Sequence, residues 1–340
     1  MVNLVNIQTS HVMTFKTLIE VLSSILSDVV IEIHRGDTVK NDDKNTVANI
    51  ADEKTKKKTK KSKDSDSNDE EKEKEKEQEK EQSDEVNNGV MKIVSIDQTQ
   101  VMIIQMKLNA SQFDVFECIP ANYDIGINLQ HLNKALKILD TTDTLSLIID
   151  DDDLANLKLK IENTDPNDPH ESVVHVKLME VNKKKYDIPP VPCEALVKIN
   201  ATSFHKICRE MHTLSEHIEI QVTQKSIKYS CVGDVIDRNS TYTTGDDVCN
   251  LKIKLSDPVK IPVVQGIFEL RNIVTFTKCG GLCDYIRIYM KNDKPICIKY
   301  TIATLGQITI LLSPVNNDDV DNFDEENDAY EDDEVQYKND

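Results

Sequence analysis

The chain has 340 residues, and its 41 Lys and Arg against 60 Asp and Glu give a formal net charge of −19. This balance argues against a protein that holds duplex DNA from outside by bulk positive charge. The sequence has no run of about 18 apolar residues, and its N-terminus lacks the basic-then-apolar pattern of a secretion signal. We therefore expect a soluble protein that stays inside the cell and has no membrane partner.

Two charged segments account for most of the imbalance. Residues 51–85 hold 14 acidic and 11 basic side chains, and residues 316–340 hold 12 acidic side chains and one basic side chain. Neither segment has the apolar periodicity of a packed element, so both are predicted to be disordered. A nucleic-acid site at Lys56–Lys63 is an alternative, although the adjoining Glu-rich half offsets its charge. For residues 316–340 we favour a solubilising tail over a docking peptide.

The rest of the chain contains an internal repeat, in which a helical stripe is followed by two strands of alternating polarity. The predicted helices are Met13–Leu26, Leu129–Leu139, Ser203–His212 and Gly266–Thr277. The predicted strand pairs are Val29–Arg35 with Val90–Ile96, Thr144–Asp150 with Leu157–Glu162, His217–Thr223 with Ser226–Val232, and Tyr285–Met290 with Pro295–Thr301. In the first copy, residues 37–88 replace the short connector of the other copies, which predicts an insertion at a hairpin tip.

Cationic side chains occupy equivalent positions of the predicted helices. In the third helix the apolar stripe faces the core, while Lys206 and Arg209 point to the opposite side. The second helix repeats this pattern with Lys134 and Lys137, and Lys16 points outward from the first helix. A solvated helix face explains any single lysine. In an acidic protein, the placement of several cations on equivalent helix faces nevertheless predicts a surface that binds phosphates.

Two short patterns raise the question of a metal site. Cys279 and Cys283 are the only closely spaced pair among eight cysteines, and we favour an ordinary glycine turn there over a zinc site. The other cysteines lie mostly in apolar segments and are predicted to be reduced core thiols. Asp150–Asp153 falls between two predicted strands, where a hairpin turn is favoured over a nuclease metal site. We therefore expect no metal, no cofactor and no catalytic activity.

At four places the sequence resembles the sliding clamps of the proliferating cell nuclear antigen type. These places are Asn128–Lys137 (NLQHLNKALK), the linker stretches Lys177–Glu180 and Asp187–Pro189, Phe204–Arg209 (FHKICR) and Leu311–Pro314 (LLSP). The match runs through nearly all of residues 7–315 apart from the insertion. The composition, rich in Asn, Asp, Lys and Ile, also resembles that of proteins from AT-rich genomes such as those of large DNA viruses.

The resemblance implies an α+β DNA-clamp fold with two similar domains, each with two helices packed on antiparallel sheets. The domains would be residues 1–177, including the insertion at 37–88, and residues 191–315, with a linker at 178–190 and a tail at 316–340. Three chains would close head to tail into a ring whose helices surround duplex DNA. The residues that would contact the DNA are Lys16, Lys134, Lys137, Lys206, Arg209 and Lys278. Ser23 stands where the family has a further channel lysine.

The resemblance also implies a subunit interface, in which Ser172–Met179 would pair with about Arg238–Thr244 of the neighbouring chain. The interface residues would be Val173, Val174, Val176, Arg238, Thr241 and Thr243. The alternative is that the valines belong only to an internal strand.

A pocket for short hydrophobic-aromatic partner peptides is implied as well. It would be lined by Ile96, Gln100, Val101, Ile103, Tyr186, Ile188, Pro295, Leu311, Leu312 and Ser313. Gln100 and Tyr186 depart from the family pattern, and the same residues read without the resemblance are consistent with a plain core. Lys183–Lys185 stand in a linker that is usually acidic, which predicts a preference for peptides with acidic flanks.

The expected function is that of a homotrimeric sliding clamp that serves a DNA polymerase, a clamp loader and proteins with clamp-binding peptides. Two alternatives remain: a clamp-like subunit of a heterotrimer or a monomeric viral processivity factor that does not encircle DNA alone, and a nuclease that uses the Asp150–Asp153 run. The expected location is the nucleus, or a cytoplasmic replication site if the protein is viral.

Overall fold

The computed structural model describes residues 2–36, 89–163, 165, 169–180, 193–245 and 251–315. The predicted insertion at 37–88, most of the predicted linker and the predicted tail lie outside these residues. The helices of the described part are α1 (Val12–Ser23), α2 (Leu129–Leu136), α3 (Ala201–His212) and α4 (Leu270–Thr275). A 3₁₀ segment, Phe276–Gly281, follows α4, and a shorter 3₁₀ turn spans Ala110–Gln112.

The described strands form three antiparallel sheets. The strands are β1 (Asn3–Thr9), β2 (Asp28–His34), β3 (Val90–Ile96), β4 (Met102–Asn109), β5 (Val115–Cys118), β6 (Asn122–Asn128), β7 (Asp143–Asp150), β8 (Asp153–Asn163), β9 (Glu171–Lys177), β10 (Ala195–Asn200), β11 (His217–Val222), β12 (Ser226–Cys231), β13 (Arg238–Thr243), β14 (Lys252–Leu255), β15 (Val264–Glu269), β16 (Tyr285–Met290), β17 (Ile296–Ile302) and β18 (Gly306–Leu312). Their orders are β5-β1-β7-β8-β9, β14-β10-β16-β17-β18-β4-β3-β2-β6 and β13-β12-β11-β15.

The nine-stranded sheet joins the two halves of the chain. Strand β18, near the end of the described chain, pairs with β4 of the first half from Gly306 opposite Leu108 to Leu312 opposite Met102. Backbone hydrogen bonds along this ladder fix the two halves in one register. The halves therefore share a continuous sheet.

The predicted repeat of a helix followed by a strand pair is confirmed. It occurs as α1-β2-β3, α2-β7-β8, α3-β11-β12 and α4-β16-β17. The second and third copies also share a helix start: Asn128 accepts a hydrogen bond from the His131 backbone N–H at 3.1 Å, and Asn200 accepts one from the Ser203 N–H at 3.1 Å. Asn is a favoured N-cap because its side chain satisfies a backbone donor that the first turn leaves free.

The predicted start of the fourth helix is wrong. Residues 266–269 belong to β15, which pairs with β11, and α4 begins only at Leu270. Val264 and Phe268 are buried and lie four residues apart, a spacing that fits a helix as well as a strand, so the pairing with β11 decides the strand state. The first two helices also end three residues before their predicted ends, at Ser23 and Leu136.

The helices form one layer, in which α2 contacts α1, α1 contacts the 3₁₀ segment after α4, and both α4 and that segment contact α3. The predicted apolar stripes are buried, with Leu132 and Leu136 in α2 and Phe204 and Met211 in α3 each at most 1% exposed. The layer packs on strands of all three sheets. The polar faces of the helices are therefore turned away from the sheets.

Candidate functional site

The outer face of the helix layer carries exposed cationic side chains. Lys134 and Lys137 lie on α2 and at its C-terminal end, and Lys206 and Arg209 occupy the corresponding positions of α3. All four side chains are exposed. Because α2 and α3 belong to the same layer, the fold brings onto one surface cations that are about 70 residues apart in the sequence.

The ammonium group of Lys16 is hydrogen-bonded to backbone carbonyls of the same chain. Its Nζ donates hydrogen bonds to the Lys137 carbonyl at 3.1 Å and to the Leu139 carbonyl at 2.9 Å. These carbonyls follow the last turn of α2, where the helix leaves acceptors without intrahelical partners and where a positive charge is favourable. Lys16 therefore ties α1 to α2, and its charge lies at the edge of the Lys134–Lys137 surface.

Lys278 is held by an ion pair between the two halves of the chain. Its Nζ lies 2.8 Å from the Glu20 carboxylate of α1, and both side chains are about half exposed. Such a pair contributes little to stability, but it neutralises part of the positive charge on this side of the layer. Ser23, at the predicted position of a missing cation, accepts a hydrogen bond from the Asn133 side chain at 3.0 Å.

Glu210 is the carboxylate closest to the α3 cations. It pairs with Arg238 of β13 at 2.6 Å and lies 4.0 Å from Lys206, whose side chain is 72% exposed. Arg238 thus connects α3 to the strand that was predicted to form a subunit interface. Lys206 retains most of its exposure and is available to a phosphate.

Strands β9 and β13 each lie at the edge of a sheet. Among the strands that the structure describes, β9 pairs only with β8 and β13 pairs only with β12. Within β9, Val176 is buried and Val174 packs against the core, whereas Val173 is 42% exposed. On β13, Thr241 and Thr243 are exposed. Both edges offer unpaired backbone groups to another strand.

A depression of about 610 Å³ lies between α2 and β9. Ala135 contributes to its wall from the helix, and Val174, Val176 and Leu178 contribute from β9 and the residue after it. The depression lies directly beside an edge strand, and its wall is of mixed polarity, because polar side chains also line it: Asp28, Asn128, His131, His175 and Lys177.

The described part of the predicted peptide pocket is assembled from three neighbouring strands. Ile103 of β4 lies opposite both Ile96 of β3 and Leu311 of β18, and the Ser313 N–H donates to the Val101 carbonyl at 3.0 Å. Ile96, Val101, Ile103 and Pro295 are half-buried, Gln100 and Ser313 are exposed, and Leu311 is buried. Leu312 belongs to the hydrophobic core. Tyr186 and Ile188 lie outside the described residues.

Asp97 shapes the turn that presents this pocket. Its buried carboxylate accepts hydrogen bonds from the Met102 N–H at 2.8 Å and from the Thr99 N–H at 3.2 Å, and it also bonds the Thr99 hydroxyl. Gln100 adopts a φ of 61°, in the left-handed region, so that the chain can return into β4. The position of Gln100 is thus set by its own turn.

The cysteine pair and the aspartate run that were considered as metal sites lie within the described residues. Cys279 is buried, and burial raises the pKa of its thiol to about 12, while the pKa of Cys283 rises to about 11. In the aspartate run, Asp150 is the last residue of β7 and Asp153 is the first residue of β8, with Asp151 and Asp152 in the turn between them. Within the described ranges, no group of three or more His, Cys, Asp or Glu side chains is placed to hold a metal ion.

None of the helices in the described part of the chain is long and apolar enough to cross a membrane.

Comparison with known proteins gives the family. The profile of the proliferating cell nuclear antigen N-terminal domain matches residues 75–185, and that of the C-terminal domain matches residues 187–315. The chain belongs to the proliferating cell nuclear antigen family of sliding clamps. Membership gives the chain the α+β DNA-clamp fold and a role in DNA replication.

Relatives of this sliding clamp occur in viruses and in cells. A probable DNA polymerase sliding clamp of Acanthamoeba polyphaga mimivirus is 26% identical over 68% of this chain and 48% of its own length. The proliferating cell nuclear antigen of Chaetomium thermophilum is 25% identical over 69% of this chain and 89% of its own. The chain thus spans about half of the viral relative and most of the fungal one. The crystal structure of the Entamoeba histolytica protein has a TM-score of 0.68 with 16% identity, covering 93% of this chain and all of that chain.

Two features of this clamp are not visible in the sequence patterns. The contact of Lys16 with the end of α2 and the pairing of Lys278 with Glu20 each join residues more than 100 positions apart. Helical periodicity places these cations on an outer face but does not show what lies next to that face. The positions of the neighbouring helices provide that information.

Proposed function

We propose that three copies of this chain close head to tail into a ring around duplex DNA and act as a polymerase processivity factor without catalytic activity of its own. The observation that supports this most directly is the helix layer, which gathers Lys134, Lys137, Lys206 and Arg209 on one exposed surface of a protein with a net charge of −19. In a closed ring, this surface would line the channel.

Enclosure would let an acidic protein hold DNA with few phosphate contacts. A ring is linked to the duplex topologically, so it dissociates only when an interface opens. Its cations can then exchange between phosphates, which permits sliding, whereas strong basicity would oppose that motion. The negative charge elsewhere would discourage DNA from binding along the side of the ring.

Ring closure would pair β9 of one chain with β13 of the next, through Val173, Val174 and Val176 on one side and Arg238, Thr241 and Thr243 on the other. Both strands are unpaired edges among the described residues, and the depression beside β9 adjoins the contact surface. A head-to-tail contact of this kind forms a ring when its rotation closes.

Partner proteins would bind at the surface formed by Ile96, Ile103 and Leu311, joined by Gln100, Val101, Pro295, Ser313 and, from outside the described residues, Tyr186 and Ile188. Short peptides with hydrophobic and aromatic anchors fit such a half-buried apolar surface. We propose the replicative polymerase and the clamp loader as its users, in the nucleus or in a viral replication site.

Two charge-reversal variants of the full chain test this function. The first, K134E/K137E/K206E/R209E, removes the positive helix face. The second, K198E/K252E/R287E/K299E, makes the same change in net charge on the nine-stranded sheet. We expect the first variant to lose most of its polymerase stimulation. In DNA binding, the slope of the logarithm of the affinity against the logarithm of the salt concentration should become shallower by about one for each phosphate that the variant no longer binds. The second is expected to retain stimulation within about twofold.

An equal decrease in both variants, with both proteins folded by circular dichroism, would show that the helix face has no special role. Light scattering on the unmodified protein is the companion measurement. We expect a mass near three times 38.6 kDa. A persistent monomer at micromolar concentration would contradict ring closure and would favour the monomeric or heterotrimeric alternatives.

A further inference from the structure

Four cations lie side by side on the nine-stranded sheet. Lys198 of β10 is directly opposite Lys252 of β14 on one side and Arg287 of β16 on the other, and Arg287 is opposite Lys299 of β17. We call these four residues the basic row. Neighbouring strands are about 4.8 Å apart, so the row is about 14 Å long.

The basic row faces away from the helix layer. The residues on either side of Lys198, Arg287 and Lys299, such as Val197 and Ile199 beside Lys198 and Ile286 and Ile288 beside Arg287, are buried in the core. Because successive side chains of a strand point to opposite faces, Lys198 and Arg287 lie on the other face of the sheet. The row is therefore separate from the cations proposed to contact DNA.

The strands that carry the basic row and their neighbour β18 contain no acidic residue. Strands β14, β10, β16, β17 and β18 together contain five cationic residues, the basic row and Lys254, and no Asp or Glu. Like charges directly opposite each other on neighbouring strands are destabilising. A row of four such charges in an acidic protein implies an anionic group that offsets the repulsion.

The described residues do not supply that group. No carboxylate among them lies within 4.0 Å of any of the four cations. Lys198 instead lies over the Tyr285 ring at 4.4 Å, and Lys299 lies 5.4 Å from the Tyr289 ring centroid. These cation–π contacts hold the stems in place but leave the charge of each ammonium unneutralised.

The surface around the row is concave. A depression of about 470 Å³ is lined by Lys198 and Arg287, with Tyr285 and Thr301 beside them, and Asp284 is the one carboxylate among the residues that line it. An extended acidic segment that follows the row would also pass this depression.

The most acidic segment of the chain starts near the turn end of the hairpin that carries Arg287 and Lys299. Residues 316–340 contain 12 acidic side chains and one basic side chain. Just before them, the Val315 N–H donates to the Ile267 carbonyl at 2.9 Å. Two residues earlier on β15, the Gln265 N–H donates to Asn292 Oδ1 at 2.8 Å, within the turn that joins β16 to β17. The acidic segment therefore begins beside the hairpin that carries Arg287 and Lys299.

The length of the segment does not limit its reach. Arg287 is five residues from Asn292, about 17 Å along β16, and Lys299 lies directly opposite Arg287. Twenty-five extended residues span up to about 80 Å. A tether this short gives an intramolecular partner a millimolar effective concentration, which an acidic peptide in solution would have to exceed.

We propose that residues 316–340 dock on the basic row of their own chain and shield it from other polyanions. The contact neutralises the four cations with carboxylates of the same chain. Nucleic acid is then kept from the outer face of the sheet, so the exposed cations of the helix layer remain as the positive surface of the molecule. Docking at the row does not require the chain to form a ring.

Zero-length carbodiimide cross-linking of the full chain, followed by mass spectrometry, tests the contact. The reagent joins a carboxylate to an amine only when the two are in ion-pair contact. We expect cross-links from the acidic segment to Lys198, Lys252 or Lys299, which disappear at high salt. Cross-links to Lys134, Lys137 or Lys206 instead, links scattered over all lysines, or no links at all would overturn the proposal. A mixture of isotopically light and heavy chains adds one criterion, because links found only between chains would rule out docking in cis.

A second measurement tests the shielding with heparin as the polyanion. A full-length variant with the 12 acidic residues of the segment changed to Asn or Gln should elute from a heparin column at higher salt than the unmodified protein. Adding K198E/R287E/K299E should remove this increase, whereas the matched addition of K134E/K137E/K206E should leave most of it. If the helix-face triple removes the increase and the sheet triple does not, the basic row is not the surface that the segment shields.

Discussion

His205 is a buried titratable side chain of α3, and its environment connects the helix to the sheet. It is 1% exposed, its Nε2 lies 3.1 Å from the Tyr300 hydroxyl, and its ring stacks on the Tyr300 ring at 5.6 Å. A Cβ added to Gly280 would meet the ring at 2.5 Å, so glycine is required where the 3₁₀ segment passes the histidine. Burial, together with the nearby Arg209 guanidinium, lowers the pKa of His205 to about 4.

This pKa predicts an acid-sensitive contribution to stability. The unfolded chain protonates His205 near pH 6.5, whereas the folded chain does so only near pH 4, so unfolding takes up a proton between these values. The free energy of unfolding therefore falls as the pH drops through this window. Between pH 7 and pH 4.5, the free energy of unfolding of H205F should fall by about 2–3 kcal/mol less than that of the unmodified protein. Urea unfolding at the two pH values measures both decreases. H131F, at an exposed position of α2, is the control and should keep the full loss. An equal loss in H205F would mean that His205 titrates normally.

The edge strands carry the proposed assembly, and Val173 is their most informative position. Its side chain is 42% exposed on β9, so a change there does not open the core. We expect V173K to weaken subunit association by about 1–3 kcal/mol, roughly fivefold to 150-fold in the dissociation constant, because a charge would be buried in an apolar contact. Sedimentation velocity over a concentration series measures the effect.

V259K is the matched control, since Val259 is 90% exposed and lies outside both edge strands. It should leave the dissociation constant unchanged. If V173K assembles as readily as V259K, then β9 is not part of the subunit contact.

The first hairpin shows how the fold tolerates residues 37–88. His34 pairs with Val90, and a Cβ added to Gly89 would lie 2.8 Å from the Gly36 nitrogen, so the two ends of the segment meet. Replacing residues 37–88 by four Gly and Ser residues should therefore leave the fold intact. Because a shorter loop costs less entropy to close, the free energy of unfolding should rise by up to about 2 kcal/mol. Thermal unfolding checks this. A large fall in the melting temperature, shared by a variant with residues 37–88 scrambled, would mean that the segment has a specific structural role.

Helix faces were predictable because they depend on local periodicity. The burial of Leu132, Leu136, Phe204 and Met211 follows from their spacing alone. The boundary at Leu270 was not predictable, since residues 266–269 take the strand state by pairing with β11, almost 50 residues earlier. Tertiary pairing decides such short ambiguous runs.

The basic row illustrates the same limit. Its four cations come from four separate strands, and only the register of the sheet places them side by side. In the sequence each is an isolated cation in an alternating strand. The cations predicted to contact DNA differ in their surroundings for the same reason. Lys134 and Lys206 are exposed, whereas Lys16 contacts the end of a neighbouring helix, which the sequence pattern of α1 does not show.

The molecule as a whole separates its two positive surfaces by a continuous sheet. One surface is the helix layer, and the other is the basic row on the opposite side. A closed ring would give the first an enclosed position around DNA, and the acidic segment would neutralise the second. Selective use of the helix face would then explain how a chain with a net charge of −19 can hold a polyanion.

Retention on circular DNA is the most direct test of encirclement. The subunits are dissociated by dilution, mixed with nicked circular plasmid, concentrated so that rings re-form, and separated by gel filtration at high salt. We predict that the protein stays with the plasmid and is released when a restriction enzyme linearises it, because a ring can then slide off an end. Release from the circles at high salt, or equal retention on circular and linear DNA, would contradict encirclement.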